Sequence, residues 1–447
     1  MALVCLAALI LPALNSCKKE TADVGDLLST VPSSAGAVVG FDLTSILEKA
    51  GCKVNGSDIT PGKEVTAWIE RQKDVKDSER EVLKLILNGE SGVDPSGAIF
   101  FTDAYNSYVT VMLADTKKFT DFVESRSGNG FADGGNDVRS CGNVAVKGAQ
   151  AWVCVSSDNT IDTKAVANYS TLSPEQSFAS NGFASTLTEM KTDIVGWGEI
   201  KSLLKTAGAY RQMSTVSLVG GMLFDDASSF SFNVDFRKGS LVSSLSVLNS
   251  KGTVAKYLLP AEKIDLATLK SIATTAQAFG AVCITKDLVK KIENIASSLG
   301  GSSFTAALNA LKPIDGTVAV AFSDIDSTSD NLSGVVTTDG TPTLDLLSAI
   351  SSFAPTRKDG KLVRFSKGTV SGGLDVQKCA DLLKGATMGF VMDMPKGGHG
   401  LGDEIRTLAL AFVPESGGMK LDMTMEGADQ SVNILLAIIA ADGAKEN

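Results

Sequence analysis

Phe230-Ser231-Phe232-Asn233-Val234-Asp235-Phe236-Arg237-Lys238-Gly239-Ser240-Leu241-Val242-Ser243-Ser244-Leu245-Ser246-Val247 is the stretch from which the fold class is read. Phe230, Phe232, Val234 and Phe236 alternate with polar residues, Arg237-Lys238-Gly239 is a turn, and Leu241, Leu245 and Val247 return. A period of two with one apolar face predicts antiparallel strands with helices packed on that side. The same pattern recurs near the C-terminus, where Leu408, Leu410 and Phe412 turn at Ser416-Gly417-Gly418 and come back through Leu421, Met423 and Met425.

Working outward from the hairpins, other pieces also occur twice. Asp94-Pro95-Ser96-Gly97-Ala98-Ile99-Phe100-Phe101 is matched by the strand-like run Ile314 to Phe322, and a polar loop, a second strand and a helix follow each. The first of these helices starts at Asp115 and carries Phe119, Phe122 and Val123; the second carries Leu344, Leu347 and Ile350. Buried-strand runs stand at Ala37 to Phe41, Val195 to Trp197, Ala281 to Ile284 and Met388 to Asp393. Asp42 is placed to cap a helix over Leu43 to Ala50, closed by Gly51. Thr60-Pro61 and Asp77-Ser78 open two further helices. The fold class expected is therefore α+β, in two tandem, distantly duplicated halves spanning 31–262 and 263–442. Each half would be a mainly antiparallel sheet with helices on one side, and the seam falls near Pro260 to Thr274.

The 447 residues are 44% hydrophobic and 21% charged, which is a globular composition with room for two domains. The net charge of −10 leaves no basic face for nucleic acid. The N-terminus is different in kind. Residues 2–14 are an apolar run of signal-peptide length, too short to span a bilayer, and Leu14-Asn15-Ser16-Cys17 has the form of a lipobox. The Cys17 thiol is the one side chain there able to take a thioether-linked diacylglycerol, and Ser16 is small enough for the peptidase to approach. We expect a signal peptide over 1–16, lipidation at Cys17, and a polar, mobile tether over 17–30. Lys18 rather than Asp after the cysteine favours the outer membrane, and two or three acyl chains would anchor stably.

A lipobox ending Ser16-Cys17-Lys18-Lys19 is followed by Val31-Pro32-Ser33-Ser34-Ala35-Gly36-Ala37-Val38-Val39. Then comes Asp42-Leu43-x-x-Ile46-Leu47-x-Lys49-Ala50-Gly51. In this order of elements the chain resembles a family of uncharacterised Bacteroidetes lipoproteins known as a domain of unknown function. The resemblance covers nearly all of the mature chain. It implies envelope location and a duplicated α+β body, and brings no catalytic residues with it.

Residues able to carry chemistry are few. His399, in a glycine-rich turn, is the only histidine, and no Gly-x-Ser-x-Gly elbow accompanies it, so a Ser-His-Asp triad is not expected. Ser202 and Lys205 have Ser-x-x-Lys spacing without its companion motifs, which reads as a solvated helix face. Asp324, Asp326, Asp330 and Asn331 are hard oxygen donors in one loop, and Gly128 to Asp137 is a second acidic, glycine-rich loop; neither has calcium-motif spacing. Trp68, Trp152 and Trp197 lie in apolar periodic segments and read as core, leaving Tyr105 and Tyr108 as the nearest approach to a glycan platform. Of seven cysteines, Cys52, Cys141, Cys154, Cys283 and Cys379 remain in the mature chain. Cys141 and Cys154 flank a hairpin and are the one candidate disulfide, against five small buried thiols.

The function expected is a non-enzymatic binding or scaffold module of the cell envelope, without cofactor or metal. Its partners would be the membrane, through the anchor, and an envelope protein. The alternatives are a carrier of an apolar ligand such as lipid, held in a groove between sheet and helices, and a hydrolase acting on peptide or glycan. Cys17→Ser is expected to move the protein from the membrane fraction to the soluble fraction on cell fractionation; persistence with membranes would contradict lipidation at this residue.

Overall fold

The computed structural model describes residues 24–56, 58–71, 89–155, 161–202, 220–298, 305–323, 331–340, 344–352, 354–394 and 404–442. They form an α+β body around one 18-stranded sheet, paired antiparallel throughout. The first run of strands is β1 (Ala37–Phe41), β2 (Val93–Thr102), β3 (Ser107–Leu113), β4 (Val144–Lys147), β5 (Gln150–Cys154), β6 (Ile194–Glu199), β7 (Ala227–Arg237) and β8 (Ser240–Asn249). The second run is β9 (Ala278–Ile284), β10 (Ile314–Phe322), β11 (Leu332–Thr338), β12 (Thr356–Asp359), β13 (Leu362–Lys367), β14 (Met388–Asp393), β15 (Ile405–Glu415) and β16 (Gly418–Gly427).

Across the sheet the first run lies in the order β4-β5-β3-β2-β1-β6-β7-β8. The second lies as β12-β13-β11-β10-β9-β14-β15-β16. β8 and β16 then pair with each other, Ser240 opposite Glu426 through Ser246 opposite Lys420, so the two runs are one sheet.

Helices lie on both sides of this sheet, which corrects the expectation of helices on one side. In the first run, one face packs under α1 (Val24–Leu28), α2 (Thr163–Tyr169) and α3 (Ala184–Thr188), with Val38, Phe101, Trp152 and Trp197 beneath them. The opposite face packs under α4 (Leu43–Lys49), α5 (Lys63–Arg71) and α6 (Thr116–Ser127), over Phe41, Val109 and Ala151. The second run has two cores likewise. Phe279, Ala319 and Val391 lie under α7 (Leu266–Lys270) and α8 (Val376–Leu382), and Val336, Val363 and Phe365 lie under α9 (Leu344–Ser351). The physical reason is visible in β1: Val38 is buried on one face and Phe41 on the other, and strands covered on both sides read as continuous apolar runs.

Local chemistry sets the helix starts. Asp42, Asp115, Asp162, Asp265 and Asp375 each accept a backbone N–H from the first turn that follows, satisfying a donor with no partner inside the helix. Gly51, at φ 91°, takes the left-handed turn that releases the chain after α4. The expected helix at Asp77-Ser78 lies outside the described residues.

The segment expected as a mobile tether is folded where it is described. Val24, Leu27 and Leu28 on α1 are all buried, with Val24 1% exposed, and Val31 follows them into the first core. Their spacing puts three aliphatic side chains on one face of a single turn, and burying each contributes about 2 kcal/mol. That offsets much of the cost of ordering this segment of chain.

One buried ion cluster ties α4 to the sheet. Asp193, just before β6, is 1% exposed on its side chain and takes Lys49 Nζ at 2.7 and 2.8 Å, Ser45 Oγ at 2.6 Å and the Phe236 backbone N–H at 2.6 Å. Lys49 also reaches Asp235 at 2.8 Å. Burial alone would lower the Lys49 ammonium, but its hydrogen bonds to Asp193 and Asp235 outweigh burial and raise it above 10.5. Burial pushes the Asp235 carboxyl up, yet hydrogen bonds from Lys49 and Arg237 hold it below 3.8. Asp193→Ala leaves Lys49 with Asp235 alone and the Phe236 N–H without its acceptor, and chemical denaturation should show a loss of about 2–3 kcal/mol. The sign of the pH dependence follows from the two shifts. The Asp235 contribution is present above pH 3.8 and lost as pH falls below it; the Lys49 contribution is present below pH 10.5 and lost as pH rises past it. Lys49→Met should flatten both limbs of the stability–pH curve.

Candidate functional site

The two long hairpins, β7–β8 and β15–β16, meet at the centre of the sheet, and their strand registers build one face residue by residue. Phe232, Leu245, Leu421, Phe412 and Met388 lie opposite one another on successive strands from β7 to β14. Val234, Ser243, Met423, Leu410 and Phe390 form the next rung, and Phe236, Leu241, Met425, Leu408 and Met392 the third. Side chains on opposed residues point to the same side of a sheet, so these three rungs are one surface.

The rungs run out at both ends into the cores already described. Phe232 lies against Gly196 and Phe230 against Gly198 on β6, where a Cβ would collide with the rings; Gly196 pairs with Val39, which packs on the core under α4. At the other end Met388 lies opposite Val282 and Phe390 opposite Gly280, and the next strand carries Val318 and Val320 of the core under α9. From β7 to β14 the face crosses four strand spacings, about 19 Å.

None of the fifteen rung residues is buried. On β15 Ile405, Thr407, Ala409 and Ala411 on the other face are buried, while Leu408, Leu410 and Phe412 are half-buried. Leu245 is 39% and Met388 43% exposed, although both belong to residue types that are usually covered. The C-terminal helix α10 (Ile434–Asp442) packs on α5, β7, β8 and β16, with Ile434 close to Gly427 at the end of β16, and so borders the face at that end. Ser243 is the single polar side chain on the rungs and no ionisable group stands among them, so binding here would depend on apolar area and not on pH.

The other face is polar on β7, β8 and β16; on β15 and β14 it is the core under α7 and α8. Ser231, Asn233, Ser244 and Ser246 continue into Lys420, Asp422 and Glu426, with Lys378 paired to Glu426 at 2.5 Å and Lys420 to Asp422 at 3.3 Å. Burial raises the Asp422 carboxyl and outweighs the pull of Lys420.

The residues singled out from sequence are not brought together. Cys17, Lys205, His399 and Asp324, Asp326 and Asp330 lie outside the described residues. Ser202 donates its hydroxyl to Glu199 Oε2 at 2.5 Å. Among the described residues no group of three or more His, Cys, Asp or Glu stands where it could hold a metal, and no helix is long and apolar enough to cross a membrane. Tyr105 is 90% exposed at the tip of the β2–β3 turn, but Tyr108 is fully buried, so the two do not form a platform. Tyr108 stacks on Phe101, and burial together with Asp103 pushes its phenol up to about 12. Tyr169 donates to Asp103 Oδ2 at 2.5 Å, closing that cluster. Trp152 and Trp197 are core residues, and Trp68 packs beside the second core.

All five described cysteines are free thiols. Cys141 ends the short strand Arg139–Cys141 and lies opposite Val144 on β4, which lies opposite Val153 on β5. Cys154 is therefore two strands from Cys141, about 10 Å away, and on the opposite face, beyond the reach of a disulfide. Cys141 Sγ lies instead 3.1 Å from Ser127 Oγ.

No family model matches the chain, and no curated protein sequence matches it. Among solved structures it is similar to crystal form I of TP0453, at 11% identity and a TM-score of 0.29, over 81% of this chain and 97% of that one. Crystal form IV of TP0453 gives 12% identity and a TM-score of 0.30 over 49% and 79%.

A solvatochromic apolar dye is expected to bind the wild-type protein at the rungs. Leu245→Glu with Met423→Lys should remove most of that binding while leaving the denaturation midpoint nearly unchanged, since both positions are at least part-exposed. Unaltered dye binding would place the accessible apolar surface elsewhere.

Proposed function

We propose that this protein is a non-enzymatic binding module of the cell envelope, anchored by lipid at Cys17, and that the open apolar face of its central sheet is the docking surface. The observation that carries this reading is the ladder of three rungs left half-exposed between two helix-covered cores. A soluble protein leaves so wide an apolar surface open at a cost, and such surfaces mark partner or ligand sites. The flanking helices and strands supply a rigid frame, so the site is formed before the partner arrives.

A second reading, a carrier of an acyl chain, is favoured by one specific feature. Fourteen of the fifteen rung positions offer no hydrogen bond from the side chain, and Met388, Met392, Met423 and Met425 can adapt to an irregular apolar ligand. An interface between proteins ordinarily carries about one hydrogen bond per 100–200 Å².

We read the chain, further, as two distantly duplicated halves with the seam near Pro260 to Thr274. Three observations support this. The two runs have the same strand order. The register shifts at the same step in each, between Val93 and Ala98 on β2 and between Ile314 and Val318 on β10. Ser244 and Asp422, each the fifth residue of its strand, lie opposite one another where β8 meets β16, as a two-fold relation between the halves requires.

The experiment is a comparison of native lipidated protein with its Leu245→Glu/Met423→Lys variant, both purified from the envelope. One sample is cross-linked and probed for bound protein, the other extracted into organic solvent for mass spectrometry of bound lipid. A partner or lipid recovered in near-stoichiometric amount with the wild type and lost from the variant supports the docking surface. Equal recovery from both, or turnover of a peptide or glycan by the purified protein, would overturn it.

A further inference from the structure

The polar side of the central hairpin holds a cavity of 320 Å³, on the face opposite the apolar rungs. Its floor is made by two cross-strand pairs, Ser231 with Ser246 and Asn233 with Ser244. Its roof is α3 and the turn after it, which bring Phe183 to one wall and Glu189 and Lys191 to the mouth. The neighbours of the floor on this same face are Val195, Trp197 and Leu248, all buried in the first core. The change from apolar to hydroxyl and amide side chains thus occurs where the sheet stops being filled and the cavity begins.

The polar groups on the floor are only partly used by the protein. Asn233 Nδ2 donates to Ser244 Oγ at 2.8 Å, which fixes the amide in place. The hydroxyls of Ser231 and Ser246 make no hydrogen bond to a described residue, and both side chains are half-buried. Part-buried hydroxyls without a protein partner must be satisfied from the cavity side. Glu189 and Lys191 form no ion pair with a described residue, so a donor and an acceptor of opposite charge stand ready at the mouth.

We propose that this cavity is a binding site for an uncharged, hydroxyl-rich ligand of about one ring, a single sugar unit of a glycan. Three properties select that class. Each serine hydroxyl both donates and accepts, as does the Asn233 amide, and a sugar hydroxyl needs both. Glu189 and Lys191 cancel in net charge, so the mouth as a whole favours neither an anion nor a cation, while sugar hydroxyls find both an acceptor and a donor. Phe183 and Val195 supply the apolar wall that the C–H face of a ring packs against, and the volume is at the small end of the range of about 300–1,000 Å³ for ligand pockets. The proposal is independent of the lipid anchor and of any occupant of the opposite face.

Saturation-transfer NMR on the full chain, with glucose and N-acetylglucosamine as probes and phosphate and glycine as charged and zwitterionic controls, tests it directly. Transfer to at least one sugar and to neither control is expected. Ser231→Val with Ser246→Val should weaken sugar binding by about tenfold or more for each hydroxyl removed. The same changes should leave the melting temperature unchanged or raised, because valine suits a strand better than serine. Should that variant not fold, Lys191→Ala at the exposed mouth keeps the test intact, with weaker sugar binding again expected. No transfer to either sugar, transfer to the controls instead, or equal transfer in a folded variant would each overturn the proposal; the last would mark the floor as a hydrated polar surface only.

Discussion

Seven backbone pairs, Ser240–Glu426 to Ser246–Lys420, carry the sheet from one part of the chain to the other. Everything distinctive about the centre of the molecule depends on this strand-to-strand contact. Each long hairpin would otherwise end in an exposed edge with an open row of N–H and C=O groups, and such edges invite pairing with other chains. Here the two edges satisfy each other. The outcome is a four-stranded middle whose apolar face is bordered by α10 at one end and whose polar face is roofed in part by α3.

That middle is amphipathic across its thickness. On β7, β8 and β16 one side collects Phe232, Leu245, Leu421 and Met423 while the other collects Ser231, Ser244, Asp422 and Lys420; on β15 the second side is the buried Ala409 and Ala411. The flanks are different: β1 and β2 are apolar on both sides and are covered on both. One sheet thus combines two ways of managing its faces, and the candidate sites lie where coverage is thinnest. The ion cluster at Asp193 stands near the boundary, holding α4 against the ends of β6 and β7.

Local elements were legible in the sequence because local chemistry sets them. The alternation from Phe230 to Val247 defines its hairpin, and Asp42 and Asp115 are the caps their positions announce. What could not be read is what lies over a face. Alternation at Leu408, Leu410 and Phe412 says that one side is apolar, but whether a helix covers it depends on residues far away in the chain. The same limit hid the helices on the second side, although the unbroken run Ala37 to Phe41 carried the signal of burial on both faces. Cys141 and Cys154 looked like neighbours across a hairpin because the intervening β4 was not separately visible. Of the sites, the apolar rungs were named from sequence as strand residues and not as a surface. Ser231, Asn233, Ser244 and Ser246 are, in the sequence, only the polar half of the alternation, since it is the placement of α3 that turns them into a cavity floor.

The docked α1 also bears on mechanics. On the proposed lipidation at Cys17, seven residue steps would separate the anchor from Val24 in the core, a contour of at most about 25 Å. A leash this short, less than the thickness of one bilayer, would keep the body close against the lipid surface and limit how far it can swing. Releasing α1 would lengthen the leash by its own residues. On that proposal the packing of Val24, Leu27 and Leu28 would act as a length stop, and the stability of one helical turn would set the radius within which the protein searches for what it binds.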